Sequence, residues 1–203
     1  MIAPFGSSRF PMNIAITGGI GAGKSTLMAQ LQQAYPQARF FSMDAFVDEL
    51  YTDPLWLDWL EENFQTRERV AISRLAFEDA AVRVALNAQS ALKIGVRLGK
   101  ILADRSALTF VEFPLLFESG LQNEFDHTVL ITASTEVRIA RVVARGKKTP
   151  DQAAAVIAAQ MPEARKAKLA DMVIDTTQSD RLAEHTQRLL STLNTLLSSK
   201  ETA

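Results

Sequence analysis

The sequence predicts an α/β protein built on a parallel sheet. Three observations point there. Short apolar runs bounded by turn residues recur along the chain, helix-spaced segments separate them, and the first run ends in a glycine-rich loop that opens a helix. Composition agrees with one substantial domain: 203 residues, 47% apolar and 22% charged, with only 9 Gly and 7 Pro, which excludes disordered and collagen-like chains. The chain has no cysteine, so a disulfide scaffold and thiolate chemistry are excluded. Its 22 Lys+Arg against 23 Asp+Glu, net −1, argue against general coating of nucleic acid.

Taken in order, Asn13-Ile-Ala-Ile-Thr17 is a buried strand, Lys24 to Ala34 a helix, and Arg39 to Ser42 a second strand. Asp44 to Tyr51 reads as a helix with Phe46, Val47 and Leu50 on one side. Leu55 to Leu102 shows helical spacing in the pairs Phe77 with Val84, Leu92 with Val96 and Leu98 with Leu102, and is read as two or three helices. Strands return at Leu108–Phe113, His127–Thr132 and Met172–Asp175, with helices at Glu136–Gly146 and Pro150–Met161 between the last two. Arg181 to Leu197, with leucines at 182, 189, 190, 193, 196 and 197, closes the chain as an amphipathic helix.

This organisation is read as a single domain over 12–200, with a helical lobe at about 54–104, a lid at about 138–165 and an N-terminal extension at 1–11. The longest apolar stretch, Leu108–Phe117, is broken by Glu112 and Pro114 and falls short of the roughly 20 residues of a membrane span. Met1–Pro11 lacks the features of a signal peptide, so the cytoplasm is the expected location.

Gly18-Gly-Ile-Gly-Ala-Gly-Lys24-Ser25-Thr26 fits the phosphate-binding loop pattern, a glycine, four residues, then Gly-Lys-Ser. Gly18, Gly21 and Gly23 let the chain curl so that backbone N–H groups surround an anion. The helix that follows adds its positive end. Lys24 reaches the outer phosphates, and Ser25 offers a hydroxyl to Mg²⁺. No Asn-Lys-x-Asp segment for reading guanine is present.

Asp44 follows the second strand, at the sheet edge where ligands bind in open α/β folds. Two roles are open from position alone: orienting and deprotonating an acceptor hydroxyl, or capping the helix from Ala45. Arg138, Arg141 and Arg145, with Lys147 and Lys148 beyond, gather positive charge on one helix. They read either as partners of phosphoryl charge or as a solvated basic face. Glu112 interrupts an apolar strand, as an acceptor-site carboxylate or as a strand end reaching solvent. His127 and His185 lack metal-ligand spacing, and Trp56 and Trp59 read as core.

With these residues in place, the chain resembles the dephospho-CoA kinase family from about Met12 to Leu197. The most specific marks are Ile16-Thr-Gly-Gly-Ile-Gly-Ala-Gly-Lys-Ser-Thr26 and Glu112-Phe-Pro-Leu-Leu-Phe-Glu-Ser-Gly120. Asp44, Phe77-Glu-Asp79, the arginines at 141 and 145, Gln160 and Ala170-Asp-Met-Val-Ile-Asp175 support them. The resemblance implies a P-loop kinase-like parallel five-stranded sheet flanked by helices, a helical acceptor lobe and a lid. It implies transfer of the ATP γ-phosphate to the ribose 3′-hydroxyl of dephospho-CoA with Mg²⁺, by a monomer or small homo-oligomer without nucleic-acid or membrane partners. The residues it implies for ATP are Gly19, Gly21, Ala22, Gly23, Lys24, Ser25 and Thr26, with Ser25 also at the metal. Asp44, Lys24, Arg141 and Arg145 are implied for catalysis, and Asp44, Arg69, Phe77, Glu112, Pro114 and Leu115 for the acceptor.

The chain departs from the family pattern at several places. Ala91-Leu92 stands where His-Pro is usual, Asp175-Thr176 where Asp-Asn is usual, and Arg138 where Gln is common. The segment between Phe64 and Arg69 is shorter than usual. These changes fall on the acceptor lobe and the adenine side. They leave two other readings: a P-loop kinase for another small hydroxyl or nucleotide acceptor, and a non-catalytic ATP-binding regulator.

Overall fold

A computed structural model describes residues 12–146, 148–178 and 182–199, with the side chains of 182, 183, 185 and 197–199 excepted. Expectations for Met1–Pro11, Lys147 and Arg181, and for the side chains of Leu182, His185 and Leu197, lie outside the described residues. The strands are β1 (Asn13–Thr17), β2 (Arg39–Ser42), β3 (Thr109–Glu112), β4 (His127–Thr132) and β5 (Met172–Asp175). The helices are α1 (Lys24–Ala34), α2 (Met43–Leu50), α3 (Pro54–Phe64), α4 (Arg69–Glu78), α5 (Ala80–Ala103) and α6 (Leu116–Ser119), then α7 (Thr135–Ala144), α8 (Pro150–Ala158), α9 (Glu163–Ala167) and α10 (Leu182–Ser199).

The chain divides into two compact units. One comprises the residues up to Phe41 and from Asp104 onward, the other Ser42–Ala103. In the first, a parallel five-stranded sheet runs in the order β2-β3-β1-β4-β5. β1 pairs with β3 so that Ile16 faces Glu112, and with β4 so that Thr17 faces Leu130. All five residues of β1 are buried, as a central strand covered on both faces must be. Ile14, Ile16, Phe110, Val129 and Ile131 form the sheet's contribution to a core completed by Leu27 and Leu31 of α1 and Leu189 and Leu193 of α10. Tyr35, just past α1, donates its hydroxyl hydrogen to Asn194 of α10 at 2.9 Å, and burial pushes its pKa up to about 12.

The second unit is all helical. Leu50, Trp56, Leu60, Ile72 and Leu86 make its core, with Trp56 stacked on Trp59 at 5.2 Å between ring centroids. Asp53 starts α3 by accepting the Leu55 N–H, and a 2.6 Å ion pair ties it to Lys93 of α5. That bond from Lys93 holds the Asp53 carboxyl below its ordinary pKa.

Several expectations need correction. α2 begins at Met43 with Ser42 in the N-cap position, so Asp44 lies inside the first turn and does not cap the helix. Phe77 and Val84 belong to different helices, because Asp79 ends α4 and accepts the Ala81 N–H at 2.7 Å at the start of α5. Phe77 is 87% exposed, and Val84, Leu92 and Val96 are exposed too, whereas Leu98 and Leu102 are buried. The spacing reported helix correctly but not which stripe meets the core. The predicted helix to Met161 stops at Ala158, and Pro162 then opens the separate α9. α6 and α9, of four and five residues, are too short to show a helical period.

Candidate functional site

β1, β3, β4 and β5 all end at one edge of the sheet, and the segments that follow them build the site. After β1 the chain turns through Gly18–Gly23 into α1. Gly18, Gly21 and Gly23 take positive φ, at 146°, 77° and 103°. Gly18 is further constrained because a Cβ there would lie 2.1 Å from the backbone oxygen of Ile131 in β4. Gly19 is required by close approach alone: its Cβ would lie 2.0 Å from the Arg138 guanidinium. Because Gly23 is the N-cap of α1, no side chain closes that helix end.

Five successive carbonyls of this loop accept hydrogen bonds from side chains. Lys24 donates from Nζ to Gly18 O at 2.9 Å and Gly19 O at 3.2 Å. Arg138 donates from Nε to Ile20 O at 2.9 Å. Arg141 donates from Nη1 to Gly21 O at 3.3 Å, and the Thr176 hydroxyl donates to Ala22 O at 2.7 Å. Thr176 lies one residue past β5, and its hydroxyl oxygen accepts from Arg141 Nη1 at 2.9 Å. Arg141 Nη2 also donates to Thr176 O at 2.7 Å. The loop is therefore gripped through its C=O groups by Lys24 of α1 and, from Ile20 to Ala22, by elements that follow β4 and β5.

Within the arginine helix, Arg138 and Arg141 contact the loop's carbonyls, whereas Arg145 remains open to either sequence reading. Arg138 is only 2% exposed and pairs with Glu163 of α9 at 3.0 Å, so it is neither solvated nor directed at a phosphate. Arg141 faces the loop's carbonyl side. Arg145, the C-cap residue of α7, is exposed. Ala22 is buried, whereas Ser25 and Thr26 are exposed in the first turn of α1. Glu112 ends β3 beside Ile16, two residues before the loop, and is half-buried. Pro114 and the exposed Leu115 continue from it along the same sheet edge.

Sequence reasoning missed an ion pair nearby, buried at one end. Lys166 of α9, fully buried, lies 2.9 Å from Glu118, whose carboxylate also accepts the Met161 N–H at 3.1 Å. Glu118 belongs to the Pro-Leu-Leu-Phe-Glu segment, but nothing in the sequence marks Lys166 as its partner 48 positions on. Thr176 and Gln160 also gave no sign of contacting the loop.

In the helical unit, Asp44 is exposed in the first turn of α2. Arg69 is the first residue of α4, paired with Asp48 at 2.7 Å and lying over the Tyr51 ring at 5.0 Å. A cavity of about 850 Å³ lies within this unit against α2 and α5, lined by Phe46, Asp53, Leu92, Lys93, Val96 and Arg97 among others. Arg97 lies over the Phe46 ring at 4.1 Å and pairs with Glu49. Leu92, one of the two residues that depart from the family's His-Pro, is thus a wall of this cavity.

For a divalent ion, the loop offers the Ser25 hydroxyl. A single protein oxygen beside a phosphate cradle suits magnesium, which keeps waters and takes further ligands from substrate phosphates. Among the described residues, no helix is long and apolar enough to cross a membrane.

Comparison with known proteins gives a consistent result. A family model described as dephospho-CoA kinase matches residues 12–181. A curated dephospho-CoA kinase from Thermus thermophilus is 35% identical over 175 residues, covering 85% of this chain and 86% of the relative. One from Rhodopseudomonas palustris is 30% identical over 174 residues, covering 81% and 86%. A crystal structure from Thermus thermophilus aligns with a TM-score of 0.79 at 31% identity, covering 92% of this chain and 98% of the other. A dephospho-CoA kinase from Campylobacter jejuni, with a TM-score of 0.64 at 20% identity and coverage of 93% and 98%, shares the fold. With the family model spanning β1 through β5 and relatives of this identity over most of their length, the chain belongs to the dephospho-CoA kinase family.

Proposed function

We propose that this chain transfers the γ-phosphoryl group of ATP to the ribose 3′-hydroxyl of dephospho-CoA, with Asp44 as general base and the Gly18–Thr26 loop as phosphate cradle. Family membership supplies the reaction, ATP-dependent phosphorylation of dephospho-CoA to coenzyme A. The observation that carries the residue assignment is the loop itself, whose carbonyls from Gly18 to Ala22 are turned onto Lys24, Arg138, Arg141 and Thr176. A peptide unit that points its C=O one way points its N–H the other, so these bonds favour the N–H groups of Gly19, Gly21 and Gly23 as donors to an anion, while those of Ile20 and Ala22 are taken by Gln160 and Gly19 O.

The acceptor oxygen attacks the γ-phosphorus, the bond to the β-phosphate oxygen breaks, and ADP leaves. The acceptor's proton passes to the Asp44 carboxylate. Such transfer needs little covalent help and depends on positioning and charge. Lys24 holds the phosphates, with Gly19, Gly21, Ala22, Gly23 and Thr26 supplying backbone around them. Arg145, exposed at the end of α7, neutralises charge on the transferring group, while Arg141 acts through the loop it grips. Ser25 would hold magnesium on the protein side, and the ion would supply charge neutralisation for the phosphates when bound with ATP.

Arg69, Phe77, Glu112, Pro114 and Leu115 are assigned to the acceptor. The cavity against α2 and α5 suits part of an elongated substrate, having apolar walls with Lys93 and Arg97 beside them. ADP release measured with dephospho-CoA, against an acceptor-free control, tests the reading. Turnover that requires dephospho-CoA supports it, and ADP release indifferent to the acceptor overturns it.

A further inference from the structure

Ile20, at the tip of the loop, is held at both of its backbone polar groups. Its N–H donates to Gln160 Oε1 at 3.1 Å, and its C=O accepts from Arg138 Nε at 2.9 Å. The two side chains are joined to each other, Arg138 Nη2 donating to Gln160 Oε1 at 3.0 Å. Arg138 Nη1 meanwhile pairs with Glu163 at 3.0 Å. These bonds close a ring through Ile20, Arg138 and Gln160, anchored on α9.

We infer that Arg138 and Gln160 are positioning residues for ATP, fixing the tip of the phosphate loop so that its donors are aligned before the nucleotide arrives. The glycines on either side of Ile20 supply the reason. Gly19 and Gly21 have no side chains with which to anchor the loop, and glycine carries more backbone freedom than any other residue. A cradle acts at full strength only when its donors need no reorganisation. Here the stiffness comes from outside the loop, and the absence of a Cβ at Gly19 is what lets the Arg138 guanidinium reach it. Glu163 neutralises the buried guanidinium, so Arg138 contributes geometry at Ile20. Because Gln160 and Glu163 flank the junction between α8 and α9, the grip also ties the end of the lid segment to the loop.

This inference rests on the loop being the ATP site, and the experiment separates the two. Gln160 is partly exposed, so Gln160→Met removes the shared acceptor with little volume change; Arg138→Met/Glu163→Gln removes the ion pair without leaving a buried carboxylate charged. Each variant is followed by melting temperature, by ATP dissociation constant and by KM for each substrate, with Lys24→Ala as a cradle control. Gln160→Met is expected to weaken ATP binding about ten-fold, since small misplacements of positioning groups carry losses of this order and above. Its KM for dephospho-CoA should stay within about two-fold. The variants should also be non-additive when combined, because both act through Ile20. Unchanged ATP affinity in a folded Gln160→Met protein overturns the inference, as does an equal rise of both KM values in step with melting temperature. If the unaltered protein and the Lys24→Ala control bind ATP alike, the assignment of the loop fails instead.

Discussion

Replacing Thr176 by valine tests whether one hydroxyl couples the sheet to the phosphate loop. Thr176 is buried, donates to Ala22 O at 2.7 Å and accepts from Arg141 Nη1 at 2.9 Å. Valine keeps the shape and removes both bonds. Ala22 O loses a neutral bond worth about 1 kcal/mol, and Arg141 loses one partner of a charged donor, worth about 1.5–3 kcal/mol when no other partner remains. Partners do remain, since Nη2 still reaches Thr176 O at 2.7 Å and Nη1 still reaches Gly21 O at 3.3 Å. The net loss should therefore be about 2 kcal/mol, which for a chain of this length lowers Tm by roughly 4–8 °C. Freed at Ala22, the loop should also bind ATP less well, raising its KM in a coupled ADP-release assay. Thr176→Ser, which keeps the hydroxyl, is the control. If Thr176→Val melts within about 1 °C of the parent with unchanged KM, the coupling is absent. If serine is as damaging as valine, packing and not the hydrogen bond is responsible.

Three further outcomes follow from the same structure. Asp44→Asn should lower kcat by about 10²–10⁴-fold, the range for losing a general base, with ATP affinity little changed in direct binding measurements. Glu118→Gln should cost about 1.5–3 kcal/mol in denaturant unfolding, because it leaves the fully buried Lys166 without a charged partner while Glu118 itself is partly exposed. Adding Lys166→Met should restore much of that loss. Tyr35→Phe removes the hydrogen bond to Asn194 and should cost about 1 kcal/mol near neutral pH. The Tyr35 pKa is raised from 10.0 to about 12 in the folded chain, so its stabilisation is complete below pH 10 and declines as pH rises toward 12. The phenylalanine variant should lose less stability than the parent across that alkaline interval, and an identical decline would sink the assignment.

The parts legible in the sequence are those whose cause is local. β1 and its loop announce themselves because a central strand is apolar throughout and a phosphate turn needs glycine at fixed places; the three glycines expected to curl, 18, 21 and 23, are the three in the loop with positive φ. The ends of α1, β2, β4 and β5 were readable for similar reasons. What was not legible depends on partners far along the chain. Leu92 and Val96 share a helical stripe yet stand exposed, because burial is decided by which elements pack on α5. The packing reason for Gly19 appears only when Arg138, more than a hundred positions later, is found where its Cβ would be.

The arginine helix shows why this matters for chemistry. Spacing places Arg138, Arg141 and Arg145 along neighbouring turns, and three cations there resemble a surface prepared for phosphate. Two of them are instead occupied with loop carbonyls, one neutralised by Glu163 and the other bonded to Thr176. A guanidinium on the carbonyl side of a peptide reinforces that peptide's dipole, and a dipole so oriented offers its positive end to whatever lies on the amide side. Under the proposed function, Arg141 favours an anion in the cradle by polarising the loop from its carbonyl side, whereas Arg138, neutralised by Glu163, holds the loop's geometry at Ile20. The near-zero net charge of the chain is compatible with the proposed anion site because the positive charge that would build it is concentrated in one loop and one helix, and part of it acts through the backbone.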